Sequence, residues 1–185
     1  MKTLVSTLIT EERFWEIIEK SDKGFLLEDE LRMLSKDELM GYWYWWLYFL
    51  EECRVMSLWA VAYTVCGSVS EDSFGYFRQR LVSRGKEIYK KAVKDADSLC
   101  DELDDELSGN NVEYFIQQFK IINWLRVISM MSYDERDKIE FDDIPRKHLD
   151  LEWFEKSESI EDSLKAICPK TFDKWWGKYL TKKKQ

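Results

Sequence analysis

The sequence predicts an all-α protein, a single compact multi-helix domain with a C-terminal helical extension. Apolar residues recur at helical spacing along most of the chain, and the alternation of apolar and polar residues typical of half-buried strands is absent. Only 2 prolines and 7 glycines interrupt 185 residues, which is too few for the many turns of an all-β fold and argues against disorder. We expect about seven to nine helices joined by short connections.

The stretch from Met56 to Gly85 predicts two helices joined by a tight turn. The apolar residues 56–66 form the first, and Gly67 can adopt the left-handed conformation that ends it. Ser70 then places a hydroxyl at the N-cap of the second helix, with two acidic residues in its first turn. Gly85 marks the end of that helix.

The turn brings the two helices together. Because it is so short, we expect Trp59 and Tyr63 of the first helix to meet Phe74 and Phe77 of the second. Trp59 and Phe77 are predicted to be buried, and the fold is predicted to depend on this pair of helices.

The flanking chain predicts further helices. Thr10 is a candidate cap for the first of them, and the loop 108–111 is the strongest break in the chain. Segment 132–145 is predicted to be a connecting loop. The other predicted helices are Glu11–Lys20, 26–34, Glu87–Val93, Val112–Met131, Leu149–Phe154, Ile160–Ile167 and Thr171–Leu180.

The most aromatic helix follows Ser35, which forms a capping-box pattern with Glu38. Aromatic side chains decorate every face of this helix, so it is either buried on most sides or paired with a partner. Its core stripe is predicted to comprise Trp46, Leu47, Leu50 and Cys53. Tyr44 and Tyr48 then lie on the opposite side, either covered by another helix or presented to a partner.

The net charge of −8 is unevenly distributed. One acidic block comprises Asp95, Asp97, Asp101, Glu102, Asp104, Asp105 and Glu106, and a second comprises Asp150, Glu152, Glu155, Glu158, Glu161 and Asp162. The end of the chain is basic, with Lys165, Lys170, Lys174, Lys178, Lys182, Lys183 and Lys184, and its last residues are predicted to form a disordered tail. Acidic surfaces repel nucleic acid and attract basic partners, although each block can also be an ordinary solvated helix face.

Cysteine and histidine usage predicts neither a metal nor a cofactor. The four cysteines are scattered without a Cys-x-x-Cys pair, and His148 is the only histidine. No uncharged run is long and apolar enough to span a bilayer, and the first residues look like mature protein rather than a cleaved signal. A cytoplasmic protein without membrane contacts is the expectation.

No sequence signature of a nucleotide-binding loop, a zinc protease, a serine hydrolase or a calcium loop occurs, so we expect no enzyme. The candidate binding residues are Trp59, Tyr63, Asp72, Tyr76 and Arg78, joined on the acidic surface by Asp101, Asp104 and Asp105. The pairs 59/63 and 72/76 each share a helix face, so with Arg78 they could line a groove that has aromatic walls. The alternative is structural: Asp72 caps a helix, Arg78 pairs with a carboxylate, and the aromatic rings are core.

Several of these residues also carry a family resemblance. In order, the motifs are Phe14-Trp15-x-x-Ile18, Leu58-Trp59-x-x-Ala62-Tyr63, Gly67, Ser70-x-Asp72-x-Phe74-x-Tyr76-Phe77-Arg78, Gly85-Lys86-Glu87 and Ala92-x-x-Asp95-x-Asp97-Ser98-Leu99. This series, over roughly residues 12 to 107, resembles bacterial domain-of-unknown-function family 4240, which also occurs beside WGR modules in proteins labelled molybdenum-metabolism regulators. The chain departs from the family where Cys66-Gly67-Ser68-Val69 replaces a turn of smaller, Gly-rich residues. The resemblance implies an α-helical fold and carries no established activity.

We therefore divide the chain into a family-like helical region, 1–107, and C-terminal helices, 108–185, that pack on the same core. The predicted function is non-enzymatic binding of another protein with a basic surface, such as a toxin domain masked by an immunity-type inhibitor. A regulatory or small-ligand-sensing module is the alternative, and an enzyme that uses Asp72 and Arg78 is the third reading. The sequence does not define the oligomeric state.

Overall fold

The computed structural model describes residues 8–21, 27–103, 144, 146–151 and 159–178, and all the regular secondary structure in these residues is helical. The α-helices are α1 (Glu11–Lys20), α2 (Leu27–Arg32), α3 (Lys36–Glu52), α4 (Met56–Cys66), α5 (Glu71–Ser83), α6 (Lys86–Lys94), α7 (Ile160–Ile167) and the short α8 (Pro169–Thr171). A 3-10 helix, Ala96–Asp101, follows α6, and a π-helical turn, Phe172–Trp176, continues α8. The all-α prediction is confirmed.

The helix starts follow the predicted capping chemistry. The Thr10 hydroxyl accepts a hydrogen bond from the Arg13 amide at 3.1 Å. At the start of α3, Ser35 and Glu38 form the reciprocal capping box. Ser70 caps α5 and is matched there by Ser73, so the predicted capping role of Asp72 is not needed. These local bonds satisfy amides that the first helical turn leaves without partners.

The turn between α4 and α5 is also confirmed. Gly67 ends α4 with φ 73°, and its amide donates to the Tyr63 carbonyl at 2.7 Å. A side chain at this positive φ would be strained, which explains the glycine.

A cluster of aromatic rings joins α1, α3 and α6. Trp15 lies 4.5 Å from Phe49 and 5.2 Å from Tyr89, measured between ring centroids, and Phe14 packs beside them on α1. All four residues are buried. The tilted and edge-on geometries are the favourable ones for aromatic pairs, so this cluster is the centre of the core.

The predicted core stripe of α3 is right at two positions and wrong at two. Trp46 and Cys53 are buried, whereas Leu47 and Leu50 are only half-buried. The buried stripe runs instead through Tyr42, Trp46, Phe49 and Cys53, a regular helical spacing. Tyr44 is also buried, and Tyr48, half-buried, stacks on it with the ring centroids 6.4 Å apart.

Gly41 allows the segment that precedes α1 to cross α3 closely. A Cβ atom at this position would lie 2.9 Å from the Ile9 backbone nitrogen and 3.0 Å from its side chain. Four residues along α3, the Trp45 indole donates to the Ile9 carbonyl at 3.0 Å. Glycine is therefore required here for close packing, since backbone at 2.9 Å cannot give way to a side chain.

The pairing of α4 with α5 is confirmed in part. Trp59 packs edge-on against Phe74 with centroids 5.0 Å apart, and both rings are buried. Phe77 is only half-buried and stacks on Phe74 at 6.2 Å, so its predicted place in the core belongs to Phe74. Tyr63 stacks instead on Trp176, from the C-terminal end of the chain, at 6.3 Å.

Residues 159–178 pack on α4 and on the 3-10 helix. They bury Leu164, Cys168 and Trp175, all less than 3% exposed, against the core. Helix α7 is confirmed with the predicted bounds, and helical backbone continues from Pro169 to Lys178 in place of the predicted start at Thr171.

Several predictions fall outside the described residues. They are the helix 112–131, the loop at 108–111, most of the loop 132–145 and of the helix 149–154, Asp104 and Asp105, and the basic tail after residue 178. Among the helices that are described, none combines the length and the apolar character needed to cross a membrane.

Candidate binding site

The five clustered candidate residues do not converge on one groove. Trp59 is core, 4% exposed, and Tyr63 is half-buried under Trp176. Asp72 is exposed in the first turn of α5, and Tyr76 lies one turn further along. The aromatic pair therefore contributes to packing between helices, while Asp72 faces solvent.

Arg78 lies on the far side of α5 from Asp72 and Tyr76. At about 100° per residue, Arg78 is rotated by roughly 200° from Tyr76, whereas Asp72 and Tyr76 are within about 40° of each other. Arg78 is only 9% exposed, and its guanidinium donates to the Leu50 carbonyl at 2.6 Å. Helical periodicity thus separates the acid and the base that the groove hypothesis would join.

The surroundings of Arg78 are those of a structural cation. Its guanidinium carbon lies 5.1 Å from the centroid of the Phe74 ring, and its Nη1 atom is 3.8 Å from Glu51 Oε1. Burial lowers the pKa of Arg78, and the Glu51 carboxylate opposes that shift. The alternative prediction, that Arg78 pairs with a nearby carboxylate, is confirmed.

Arg78 is one of three side chains that converge on the C-terminal end of α3. The Tyr89 hydroxyl lies 2.8 Å from the Phe49 carbonyl and 2.8 Å from Glu52 Oε2, and the Lys147 ammonium donates to the Glu52 carbonyl at 2.6 Å. The last carbonyls of a helix have no partners within the helix, and cations complement its negative end. The end of α3 is thus held by residues from α5, α6 and the segment 146–151.

The sequence pointed to Cys53 only as a core residue, and the structure agrees. Its thiol is fully buried beside this helix end, and burial raises the pKa of Cys53 to about 12. A thiol with such a pKa stays protonated at neutral pH and is a poor nucleophile or metal ligand.

Asp97 has a role that the sequence did not reveal. The carboxylate is buried, 6% exposed, and accepts from the Thr171 amide at 2.8 Å, the Thr171 hydroxyl at 2.9 Å and the Lys170 amide at 3.0 Å. These amides open the helical path 169–178, so Asp97 caps it from 74 residues away. The acidic block is therefore not a uniform solvated face. The one sequence feature that sets Asp97 apart is its place in the family-like motif.

Asp101 follows one turn later and behaves differently. Its side chain is 92% exposed, and the Lys174 ammonium lies 3.9 Å from its carboxylate. Lys174 itself donates to the Cys100 carbonyl at 2.8 Å. Asp101 is therefore available at the surface, while Asp104 and Asp105 lie outside the described residues.

The described ranges contain no group of three or more His, Cys, Asp or Glu side chains placed to hold a metal ion. All four cysteines fall within those ranges as free thiols, three of them buried and Cys66 exposed. His148 is exposed on the segment 146–151.

The role of Arg78 can be tested by stability. We expect Arg78→Met to lower the free energy of unfolding by about 2 kcal/mol, because a charged hydrogen bond to a buried carbonyl is lost. Denaturant melts followed by circular dichroism would measure the change. Arg13→Met, which removes an exposed pair with Glu16 at 3.2 Å, is the matched control and should cost no more than about 0.5 kcal/mol. Equal losses in the two variants would contradict the structural role.

The described fold and its contacts define a compact helical domain in which the polar side chains of Arg78, Tyr89 and Asp97 hold helix ends together. Comparison with known families identifies the chain more closely. Residues 9–124 match the family described as "Protein of unknown function (DUF4240)", and because this is more than half of the chain, the protein belongs to that family. No curated protein and no solved structure gave a significant match. The division of the chain at residue 107 stays a prediction.

Proposed function

We propose that the protein is a non-enzymatic bacterial protein that binds another protein in the cytoplasm through its acidic surface. The partner would present lysine and arginine side chains, as a basic toxin domain does to an immunity-type inhibitor. The observation that supports this proposal best is the contrast within one short helix. Asp97 is buried and hydrogen-bonded within the fold, whereas the Asp101 side chain is 92% exposed.

The internal use of polar groups favours binding over catalysis. Arg78 and Tyr89 hold carbonyls at the end of α3, and the Asp97 carboxylate already accepts three hydrogen bonds. A catalytic or ligand-binding role for any of them would first have to break these contacts. The exposed charge has no such constraint.

Asp101 can exchange its present neighbour for a partner's cation. The Lys174 ammonium is 3.9 Å away and its side chain is 42% exposed, so the pair contributes little to stability. With a net charge of −8, the chain would also steer a basic protein towards itself over distances comparable to the screening length. The acidic surface would therefore raise mainly the rate at which the proposed complex forms.

Salt dependence and charge reversal test this proposal once a partner has been isolated by pull-down. We expect the triple change of Asp101, Asp104 and Asp105 to Lys to slow association at least tenfold at low ionic strength, and raised salt to slow the wild type. Stopped-flow fluorescence would measure the rates, and circular dichroism would confirm unchanged helix content.

The matched control reverses Glu12, Glu16 and Glu19, three exposed acids on one face of α1. It changes the net charge by the same amount at a different place. If both triple variants slow association equally, only overall charge matters and the proposed surface is wrong. If neither has an effect, the partner does not use charge at all, and the proposal fails.

A further inference from the structure

The last described segment, residues 159–178, contacts mainly two elements of the family-matched region. Helix α7, α8 and the π-helical turn all lie on α4, and α8 also lies on the 3-10 helix. We call residues 159–178 the strap. It covers the side of α4 that carries Tyr63 and Thr64, so this side would face solvent if the strap were to open.

The polar contacts at the start of α8 lie close together, and further along the strap the Lys174 ammonium donates to the Cys100 carbonyl at 2.8 Å. Asp97 caps the start of α8 through the amides of Lys170 and Thr171, and the Thr64 hydroxyl lies 3.4 Å from the Cys168 sulfur. Around this point the strap inserts apolar side chains, of which Trp175 is 2% exposed. Asp97 is thus the latch of the strap, the group on which its helical start depends.

The chain before the strap is anchored elsewhere. Lys147 donates to the Glu52 carbonyl, and its own amide donates to Glu51 Oε2 at 3.3 Å. The aromatic cluster of α1, α3 and α6 contains no residue of the strap. The strap could leave α4 while both of these groups of contacts stay intact.

We propose that the strap opens from α4 as one unit, with Asp97 as its latch, while the core of α1, α3, α5 and α6 stays folded. Native proteins open in such cooperative units, and a unit that contacts few elements opens at a lower free energy than the whole fold. The open form uncovers Tyr63 and Thr64 together with the Asp97 carboxylate.

Two buried cysteines distinguish opening of the strap from unfolding of the core. Cys168 lies in the strap and Cys53 lies at the end of α3, and both are 0% exposed. A thiol reagent reaches each of them only after an opening event, at a rate set by the population of the opened form. In a Cys66→Ala chain, which lacks the exposed thiol, peptide mapping by mass spectrometry would give the labelling rate at each site.

We expect Cys168 to be labelled at least tenfold faster than Cys53 under native conditions. Ile17→Val, a change in the core at a residue that is 0% exposed, should speed labelling of Cys53 roughly fivefold and leave Cys168 unchanged. Ile17→Val destabilises the closed and the strap-open forms equally, so the opening equilibrium that exposes Cys168 is unchanged. It does not destabilise the unfolded form, so the unfolding that exposes Cys53 becomes more frequent.

Asp97→Asn acts on the latch and should speed labelling of both cysteines by at least tenfold, because it destabilises only the closed form. Asp101→Asn is the matched control on the same 3-10 helix and should change neither rate. Equal labelling of Cys168 and Cys53 in the Cys66→Ala chain, or an equal response of both to Ile17→Val, would overturn the proposal. Hydrogen exchange at the amides of α1 and α7 provides the same comparison without thiols.

Discussion

Phe74→Ala is expected to lower the free energy of unfolding by about 3–5 kcal/mol, because a fully buried ring is replaced by a cavity. Phe74 is 0% exposed between Trp59 of α4 and the guanidinium of Arg78. Trp59→Ala removes the other half of this contact and should cost a similar amount. Urea melts of the purified variants would measure both changes.

Phe77→Ala is the matched control, since it removes the same ring one helical turn further along α5. Because Phe77 is half-buried, this change should cost less than half as much as Phe74→Ala. Equal losses for the two phenylalanines would show that the core lies nearer to Phe77, as the sequence alone predicted.

Asp97→Ala is expected to cost about 3 kcal/mol. The substitution leaves the amides of Lys170 and Thr171 and the Thr171 hydroxyl without their acceptor in a buried place, and each unsatisfied donor carries a penalty of about 1 kcal/mol or more. Thermal and denaturant melts would measure the loss.

Two further variants define the origin of that cost. Thr171→Val removes only the hydroxyl bond to Asp97, so it should cost less than Asp97→Ala. Asp101→Ala, on the same 3-10 helix, should stay within about 0.5 kcal/mol, because its side chain is exposed. A stability of Asp97→Ala equal to that of Asp101→Ala would rule out the capping role of Asp97.

Local chemistry made much of this fold predictable. The caps at Thr10, Ser35 and Ser70 and the turn at Gly67 depend on residues within four positions of one another, so a short window of sequence contains the whole cause. The stripe of α3 was harder to predict. When nearly every side chain of a helix is aromatic or apolar, periodicity no longer distinguishes one face from the next. The sequence therefore predicts Leu47 and Leu50 in the core, where Tyr42 and Phe49 are buried instead.

The candidate site was less predictable for a different reason. In the sequence Arg78 is a candidate site residue and Asp97 is one member of the acidic block, but their partners are the Leu50 carbonyl and the amides of Lys170 and Thr171. Backbone partners have no residue-type signature, and the second set lies more than 70 residues away. Only the packing of the strap shows that Asp97 is internal, whereas Asp101, one turn later, is at the surface.

The burial of α4 bears on where the boundary of the domain lies in this family. Seven of its eleven residues are buried, so it needs cover on more than one side, and part of that cover comes from Trp175 and Trp176. The family match ends at residue 124, well before these two rings. A relative whose fourth helix is equally apolar must therefore obtain the missing cover from its own flanking sequence or from another polypeptide. The sequence outside the matched region would then decide whether each relative stands alone or has to associate.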